Sequence, residues 1–347
     1  MSWNKTARLP RHDQARVTAA EWFAGGQRIW YDPGSARILT EEQAAATPGA
    51  LRVFERVAAA RHDADAVWLT LLPGFPDGSY GWAQVDRMLG DHLGPRLYVE
   101  PVGQGDSDKP RHYRYSTVER ADLVEALWRC HGVRRTIVVT FDYTSLALLE
   151  LLRRQLELTR SGGAATPVIT AVFMVNGGLF ADAHTHPWQG TPLLRSPLGA
   201  LAMWGTQRSP RRLDGSLIQA RMYARGYRPT PEELTELRSA ILRRDGAAFM
   251  HNAAGFVSEH RRNAQRWDFA AIARELGGTV ALYVGGSDED AYEHRQIPAT
   301  RERVPDAEVL TFPGGHLTTS EHPDLLAAAI REIAARHGVG ATANAHR

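Results

Sequence analysis

The sequence predicts an α/β protein in which a mostly parallel sheet is covered by helices on both faces. Short β-branched apolar runs alternate with longer leucine- and alanine-rich runs along most of the chain. Glycines or prolines mark most of the junctions between them, as expected where strands and helices end. The interval from about 180 to 270 holds helical runs and no strand pattern. We therefore expect a helical cap inserted between two strands of the sheet.

The strands and helices are expected in specific segments. Six buried strands are predicted in "DAVWLTLLPGFP", "PRLYVEPVGQG", "TIVVTF", "PVITAVFMVNGG", "TVALYVGG" and "AEVLTFPGGH", and "ALRVFERVAA" is a candidate earlier strand. Helices are predicted in "TVERADLVEALWRCHGV", "YTSLALLELLRRQLELTRSGG" and "PDLLAAAIREIAARHG". The last of these begins with proline and ends with glycine, the usual asymmetry of helix ends. Inside the predicted cap, "TPEELTELRSAILRRDG" has the same character.

The 347 residues suffice for one large domain with an insertion. We expect residues 1–50 to form an N-terminal extension packed on the core. The α/β core would comprise 51–180 and 271–338. The helical cap would be 181–270, and 339–347 a frayed tail.

Composition and charge exclude several classes of function. The net charge is +2, from 41 basic and 39 acidic residues without a basic block, so neither nucleic acid nor an anionic membrane is an expected partner. The single cysteine, Cys130, has no partner for an internal disulfide. No apolar run approaches the ~18 residues of a membrane helix, and the N-terminus lacks the apolar core of a signal peptide. These features predict a cytoplasmic protein.

Four side chains follow predicted strands: Phe75, Asp142, Asp288 and His316. Carboxyl ends of parallel strands form the usual site in such sheets. Asp142 is unusual, because a carboxylate at the tip of a buried strand needs a reason. A sharp strand–turn–helix would explain it, since the N-terminus of the following helix favours a negative charge.

The chemistry of such a carboxylate is direct attack on an electrophilic carbon, which forms a covalent ester. His316 would then activate water against the ester, and Asp288 would orient the histidine. Backbone N–H groups of Phe75 and Tyr143 would form the oxyanion hole.

Other roles stay open at these positions. Asp142 also suits a helix N-cap, and Ser145 is a less favourable nucleophile because it falls inside the helix start. Glu289 or Asp290 are alternatives to Asp288 as the acid.

The motifs around these residues resemble those of aspartate-nucleophile α/β hydrolases. The matching segments are "LLPGFPDGSYGW", "VEPVGQGDSDKP", "FDYTS", "VNGGLF" and "FPGGH", within roughly residues 65–330. The group comprises epoxide hydrolases, haloalkane dehalogenases and mesoderm-specific transcript proteins, and the "NGG" pattern is most similar to the last. The resemblance implies the α/β-hydrolase fold, and it implies Asp142, Asp288 and His316 as the catalytic trio.

Phe75 and Tyr143 resemble the corresponding residues of epoxide hydrolases. The resemblance therefore implies that an epoxide is opened to a vicinal diol, with Tyr223 or Tyr227 of the cap donating to the epoxide oxygen. A phenol with a pKa of ~10 suits this task. Trp188 and Trp204 are expected to line the substrate pocket. In the alternative of a haloalkane dehalogenase, the indole of Trp188 or of Trp204 would hold the halide.

Several positions depart from the family pattern. Leu72 and Pro73 replace the histidine before Gly74, and Glu100 replaces an aspartate. Around the nucleophile, Thr140 and Phe141 replace "Gly-His", and Thr144 and Ser145 replace glycines. Small residues are expected there because helix and strand approach closely. The departures leave open a non-hydrolytic binding or tailoring protein on the same scaffold.

No metal and no cofactor are expected. The "HTH" at 184–186 lacks an evident third ligand, and "GQGDS" lacks the Lys-Ser/Thr pair of a phosphate loop. The expected partner is a small molecule, apolar or aromatic because the cap is rich in aromatic residues. A homodimer is left open.

Overall fold

The computed structural model of the chain describes residues 16–58, 65–91, 93–110, 112–164, 167–184, 222–245 and 259–339. None of the helices within these ranges is long and apolar enough to cross a membrane.

One nine-stranded sheet organises the described residues, in the order β2-β1-β3-β5-β4-β6-β7-β8-β9. Strands β4 to β9 include the six predicted strands, all mutually parallel where they pair, and β3 is the candidate earlier strand. The strands are β1 (Gln27–Asp32), β2 (Arg37–Leu39), β3 (Leu51–Ala58), β4 (Val67–Leu72), β5 (Arg96–Val99), β6 (Arg135–Phe141), β7 (Val168–Val175), β8 (Ala281–Ser287) and β9 (Glu308–Phe312). The prediction of a mostly parallel α/β sheet is confirmed.

The first two strands form a hairpin that the sequence did not predict. β1 pairs antiparallel with β2 and with β3, so the N-terminal region extends the sheet. Of the β1 residues only Tyr31 is buried. A short strand with one buried side chain carries too little apolar alternation to be recognised.

Helices cover both faces. They span α1 (Ala19–Ala24), α2 (Glu41–Ala45), α3 (Ala83–Leu89), α4 (Thr117–Cys130) and α5 (Thr144–Arg160), then Pro231–Ile241, Glu259–Arg262, Phe269–Leu276, Gln296–Arg303, Thr318–Glu321 and Pro323–Arg336, with short 3-10 turns at Gly78–Trp82 and Arg243–Asp245. The predicted helices thus form near their expected bounds. Gly132 and Gly338, which follow two of them, have positive φ angles, the left-handed conformation that ends helices.

The central strands are buried on both faces. Along β4, Trp68 and Leu72 pack into one apolar cluster with α4 and α5. Leu69 and Leu71 point the opposite way, into the cluster that includes Pro323–Arg336. This double burial explains the continuous apolar runs in the sequence, and it leaves the carboxyl ends of the strands as the place for polar groups.

The part of the predicted cap that the structure describes packs against the N-terminal region. Thr230 caps the helix Pro231–Ile241. The N–H of Ala19 donates to Glu236 at 2.7 Å, and Arg16 pairs with Glu233 at 3.1 Å. The division into core and cap stays a prediction, because most of 181–270 lies outside the described residues.

Candidate active site

Asp142 occupies a sharp turn between β6 and α5. Its φ angle is +57°, a left-handed conformation that costs a residue with a side chain free energy. The N–H of Asp142 donates to the carbonyl of Val175 at 3.0 Å, and the N–H of Ser145 donates to the carbonyl of Asp142 at 3.1 Å. These bonds hold the strained residue, so the carboxylate stands above the strand ends at the start of a helix.

The unusual residues around Asp142 are accommodated by hydroxyl hydrogen bonds. The hydroxyls of Thr140 and Ser145 lie 3.0 Å apart, and the hydroxyl of Thr144 donates to the carbonyl of Phe141 at 3.0 Å. The side chains that replace glycine therefore bridge strand and helix.

Two glycines on neighbouring segments supply the missing space. A Cβ at Gly177 would lie 2.0 Å from the Ser145 hydroxyl, and a Cβ at Gly74 would lie 2.5 Å from the Phe141 ring. In the family pattern, the small residues that allow helix and strand to approach lie in the turn around position 142 itself. Here the small residues are Gly177 and Gly74, on the segments that pack against that turn.

Asp142 is 5% exposed, and its carboxylate has a different partner on each oxygen. The N–H of Phe75 donates to Oδ2 at 3.0 Å. Nε2 of His316 lies 3.4 Å from Oδ1. Phe75, Asp142 and His316 are thus brought together as the sequence predicted, and Tyr143 follows Asp142 at the N-terminus of α5.

The acid beside His316 is Asp290, which corrects the choice of Asp288. Nδ1 of His316 donates to Oδ2 of Asp290 at 2.9 Å. The other oxygen of Asp290 accepts from the amides of Tyr292 at 2.8 Å and Glu293 at 3.1 Å. Asp288 is exposed, and its carboxylate accepts from the N–H of Gly314 instead. β8 ends at Ser287. The chain then turns, and the turn directs Asp290 rather than Asp288 toward His316.

The charges of the trio are tightly coupled. Burial would lower the pKa of His316, but the adjacent Asp290 and Asp142 outweigh it and raise that pKa well above its usual range. Burial likewise opposes ionisation of Asp290, yet His316 lowers its pKa. Both directions favour a protonated His316 between Asp290 and Asp142.

Asn176 braces this arrangement, a role that the sequence did not reveal. Its side-chain amide donates to the carbonyl of His316 at 2.6 Å, and its amide oxygen accepts from the N–H of Ser287 at 2.9 Å. Its φ angle is +46°. The "NGG" motif therefore ties the ends of β7 and β8 to the histidine loop, and the only available signal was the motif itself.

A buried polar chain supports the loop that carries Phe75. The side chain of Gln104 donates to the carbonyl of Gly74 at 2.7 Å. Arg120, itself 4% exposed, donates to Gln104 at 2.9 Å. In the same loop, burial and then the charge of Asp142 raise the pKa of Asp77 to about 7. These residues come from three separate segments, so sequence spacing gave no sign of their meeting.

The two predicted cap tyrosines lie together but differ in their contacts. The rings of Tyr223 and Tyr227 stack with centroids 5.2 Å apart. The hydroxyl of Tyr227 donates to Glu233 at 2.9 Å. The hydroxyl of Tyr223 is buried and has no hydrogen-bond partner among the described residues. Trp188 and Trp204, the predicted pocket residues, lie outside the described residues.

Tyr223 is close to the histidine loop. The N–H of Leu317 donates to the carbonyl of Met222 at 3.1 Å, and a Cβ at Gly315 would lie 2.5 Å from the Tyr223 carbonyl carbon. Of the two tyrosines, Tyr223 therefore has the uncommitted hydroxyl. Within the described ranges, no group of three or more His, Cys, Asp or Glu side chains is arranged to hold a metal.

Comparisons with known proteins cover the part of the chain that holds these residues. Residues 71–329 match the model of the alpha/beta hydrolase family. The mesoderm-specific transcript protein of Mus musculus is 30% identical over 209 residues, which are 57% of this chain and 58% of that protein. The match thus spans little more than half of that relative. The putative hydrolase LipZ of Mycobacterium tuberculosis is 28% identical over 76% of this chain and 87% of its own.

Solved structures share the fold. A thermophilic esterase from Thermogutta terrifontis superposes with a TM-score of 0.64 at 17% identity, over 89% of this chain and 98% of its own. The epoxide hydrolase CorEH gives 0.62 at 16% identity, over 83% and 96%. The haloalkane dehalogenase DatA from Agrobacterium tumefaciens gives 0.63 at 16%, over 90% and 97%. Three reactions on one fold mean that the choice among them must come from the site.

Proposed function

The chain belongs to the alpha/beta hydrolase family, and within it we propose an epoxide hydrolase that opens an apolar or aromatic epoxide to a vicinal diol. The observation that carries the proposal is the elbow carboxylate of Asp142, with the Phe75 N–H on one oxygen and His316 beside the other. A carboxylate at this position acts as the nucleophile itself, whereas the seryl alternative, Ser145, is buried and bonded to Thr140.

The first half-reaction forms an ester. An oxygen of Asp142 attacks an oxirane carbon, the carbon–oxygen bond breaks, and its electron pair passes to the epoxide oxygen. That oxygen needs a hydrogen-bond donor as charge develops on it. Tyr223 has a buried hydroxyl without a partner among the described residues, so we assign it this contact in preference to Tyr227.

The second half-reaction hydrolyses the ester. Esterification removes the negative charge of Asp142, one of the two carboxylates that raise the pKa of His316. The imidazole then gives up its proton more easily and acts as base toward water, held by Asp290. The N–H groups of Phe75 and Tyr143 would stabilise the tetrahedral oxyanion.

A phenol beside the nucleophile favours an epoxide over a haloalkane. A departing halide needs only hydrogen-bond donors, whereas the oxygen of an opened epoxide also needs a proton. Tyr143 follows Asp142 directly, and Tyr223 adjoins the histidine loop. Halide release from a simple haloalkane, without diol formation from epoxides, would favour the dehalogenase instead.

Intact-protein mass spectrometry of His316→Gln tests the proposal. This variant keeps Asp142 but lacks the base, so styrene oxide should add one substrate mass that persists for hours. Peptide mapping should locate the addition at Asp142.

Asp142→Ala is the matched control, and it should gain no mass and release no diol. Undiminished diol formation by Asp142→Ala would contradict the mechanism. Absence of any covalent adduct across a panel of epoxides, with the fold intact, would favour the non-hydrolytic alternative.

A further inference from the structure

A second acid–histidine pair lies behind the residue that follows the nucleophile. The hydroxyl of Tyr143 is 3.4 Å from Nε2 of His184. Nδ1 of His184 contacts the carboxylate of Glu293 in an ion pair. The three side chains form a row, Glu293–His184–Tyr143, which ends at the residue that follows Asp142. None of the steps described above uses His184 or Glu293.

The histidine and the acid of the row have buried side chains. The side chains of His184 and Glu293 are 8% and 3% exposed. A Cβ at Gly178 would lie 3.1 Å from Nδ1 of His184 and 3.3 Å from the Glu293 carboxylate, so the "NGG" motif leaves just enough space for the pair. The ring of Tyr143 meets the His184 ring edge-on, with centroids 5.8 Å apart. Burial of a charged pair is costly, which is a reason to look for its use.

We propose that Tyr143 donates the proton to the opened epoxide oxygen, and that the His184–Glu293 pair resupplies it. The inference rests on the epoxide hydrolase function proposed above. Tyr223 would stabilise the same oxygen from the cap side. Tyr143 is distinguished from Tyr223 by the proton carrier behind it, because a phenolate formed at Tyr143 is next to an imidazole that can reprotonate it.

The proton balance closes over the cycle. As the oxirane carbon–oxygen bond breaks, the oxygen takes the Tyr143 proton, and the phenolate takes a proton from Nε2 of His184. The His184–Glu293 pair is reloaded from solvent after the diol leaves. In the second half-reaction His316 first releases its resting proton to solvent and then takes one proton from water as the hydroxide adds to the ester carbonyl. The acyl carbon–oxygen bond then breaks, and the departing diol oxygen takes the hydroxyl proton of the regenerated Asp142 acid. The sum is one epoxide and one water converted to one diol.

The charges around the row suit a proton donor. Burial and then the charge of Asp142 raise the pKa of Tyr143 well above its usual value, so the phenol is protonated at neutral pH. Glu293 and Tyr292 act on Tyr143 in the same direction. Burial raises the pKa of Glu293 to about 7 despite the adjacent His184, so the pair can hold a proton near neutrality. His260 lies next to His184, with ring centroids 6.1 Å apart.

The test compares two probes that place the same group on Asp142. Styrene oxide and its bromohydrin, 2-bromo-1-phenylethanol, give the same hydroxyalkyl ester after attack at the terminal carbon. Only the epoxide needs a proton for its leaving oxygen, because bromide departs as an anion. Both reactions are followed as mass gain in the His316→Gln protein, in mildly acidic solution where the bromohydrin does not close to the epoxide.

Adding Tyr143→Phe to His316→Gln should slow alkylation by styrene oxide by about 100-fold and alkylation by the bromohydrin by less than about threefold. Adding Tyr283→Phe, whose hydroxyl bonds His337 at 3.1 Å, should change neither rate and is the matched control for loss of a phenol. Equal slowing with both probes would mean that Tyr143 merely shapes the pocket, and unchanged epoxide rates would mean that it donates nothing; either overturns the proposal.

The role of the His184–Glu293 pair is tested with the same ratio of alkylation rates, styrene oxide against the bromohydrin. His184→Gln and Glu293→Gln should each slow the epoxide reaction by about 10-fold and leave the bromohydrin reaction nearly unchanged. A loss shared equally by both probes would reduce the pair to a structural role and overturn the relay. Mass gain from the bromohydrin but never from any epoxide, in His316→Gln itself, would instead overturn the proposed function, so the two failures are distinguishable.

Discussion

His316 contacts two carboxylates through different ring nitrogens. The two contacts give Asp142 and Asp290 different roles in the proposed site. Nε2 faces Asp142 at 3.4 Å, and Nδ1 donates to Asp290 at 2.9 Å. A carboxylate on Nδ1 fixes the tautomer in which Nε2 serves as base. The two amides on the far oxygen of Asp290 keep that carboxylate in place.

Exchanging a single oxygen for nitrogen should identify the acid. Asp290→Asn keeps the acceptor for the amides of Tyr292 and Glu293 but cannot accept from His316. We expect ester hydrolysis to fall by roughly 10³-fold or more, with ester accumulating on Asp142. Asp288→Asn is the matched control and should change the rate less than about threefold. Rapid-quench kinetics with styrene oxide measure both, and a larger loss at Asp288 than at Asp290 would reverse the assignment.

At the scale of elements, Glu150 joins α5 to the segment that leads back from the predicted cap. Its carboxylate is fully buried and accepts from the Trp267 indole at 3.0 Å and from the Arg266 guanidinium at 2.6 Å. Arg153 and Arg154 of α5 donate to the same group. Burial opposes ionisation, but these donors prevail and hold the pKa of Glu150 well below its usual range. A buried carboxylate with this many donors stabilises the fold only as long as it keeps both its charge and its partners.

Removing that charge should destabilise the protein by roughly 2–4 kcal/mol, because Glu150→Gln leaves the guanidinium groups of Arg153, Arg154 and Arg266 without their buried carboxylate. Urea unfolding near neutral pH measures the change. Glu157→Gln is the control, since Glu157 is exposed and also pairs with Arg153, and it should cost less than about 0.5 kcal/mol. Similar losses for both variants would show that Glu150 is no more than another surface ion pair.

Over the whole molecule, several buried carboxyls share an elevated pKa. Burial is the first cause in each, and it raises the pKa to about 7 at Asp77, Glu100, Glu119, Glu293 and Glu321. Between about pH 4.5 and 7 the folded state therefore keeps protons that the unfolded state has released. Raising the pH through this window removes stability. The raised pKa of His316 acts in the same direction above about pH 6.5, and the lowered pKa of His337 opposes it.

The free energy of unfolding should accordingly fall between about pH 5 and pH 8, by roughly 2 kcal/mol or more. Glu150 and Asp290, with lowered pKa values, do not titrate in this window and lose their contribution only in more acidic solution. Glu100→Gln should flatten the slope, because one carboxyl no longer titrates. Urea unfolding at four pH values tests both statements, and a stability that rises toward pH 8 would contradict them.

Particular residues show how far sequence reasoning reaches. The alternation of apolar runs predicted the parallel strands, since double burial makes them continuous. Asp142 and His316 were found because each lies within a few residues of the end of a predicted strand. The β1–β2 hairpin was missed because a half-exposed edge leaves little pattern. The sequence left Asp288, Glu289 and Asp290 as alternative acids. The conformation of the turn after β8 decides which of these carboxylates reaches His316.

The sequence by itself determined the fold class, the meeting of Asp142 with His316, and the family, because these depend on local pattern and order along the chain. Only the tertiary structure decided that Asp290 meets His316, that Gly177 and Gly74 make room for the hydroxyls of the elbow, and that Glu293, His184 and Tyr143 form one row. Those contacts join segments far apart in sequence. Their distances are set by how strand ends and loops pack, which no spacing of residues encodes.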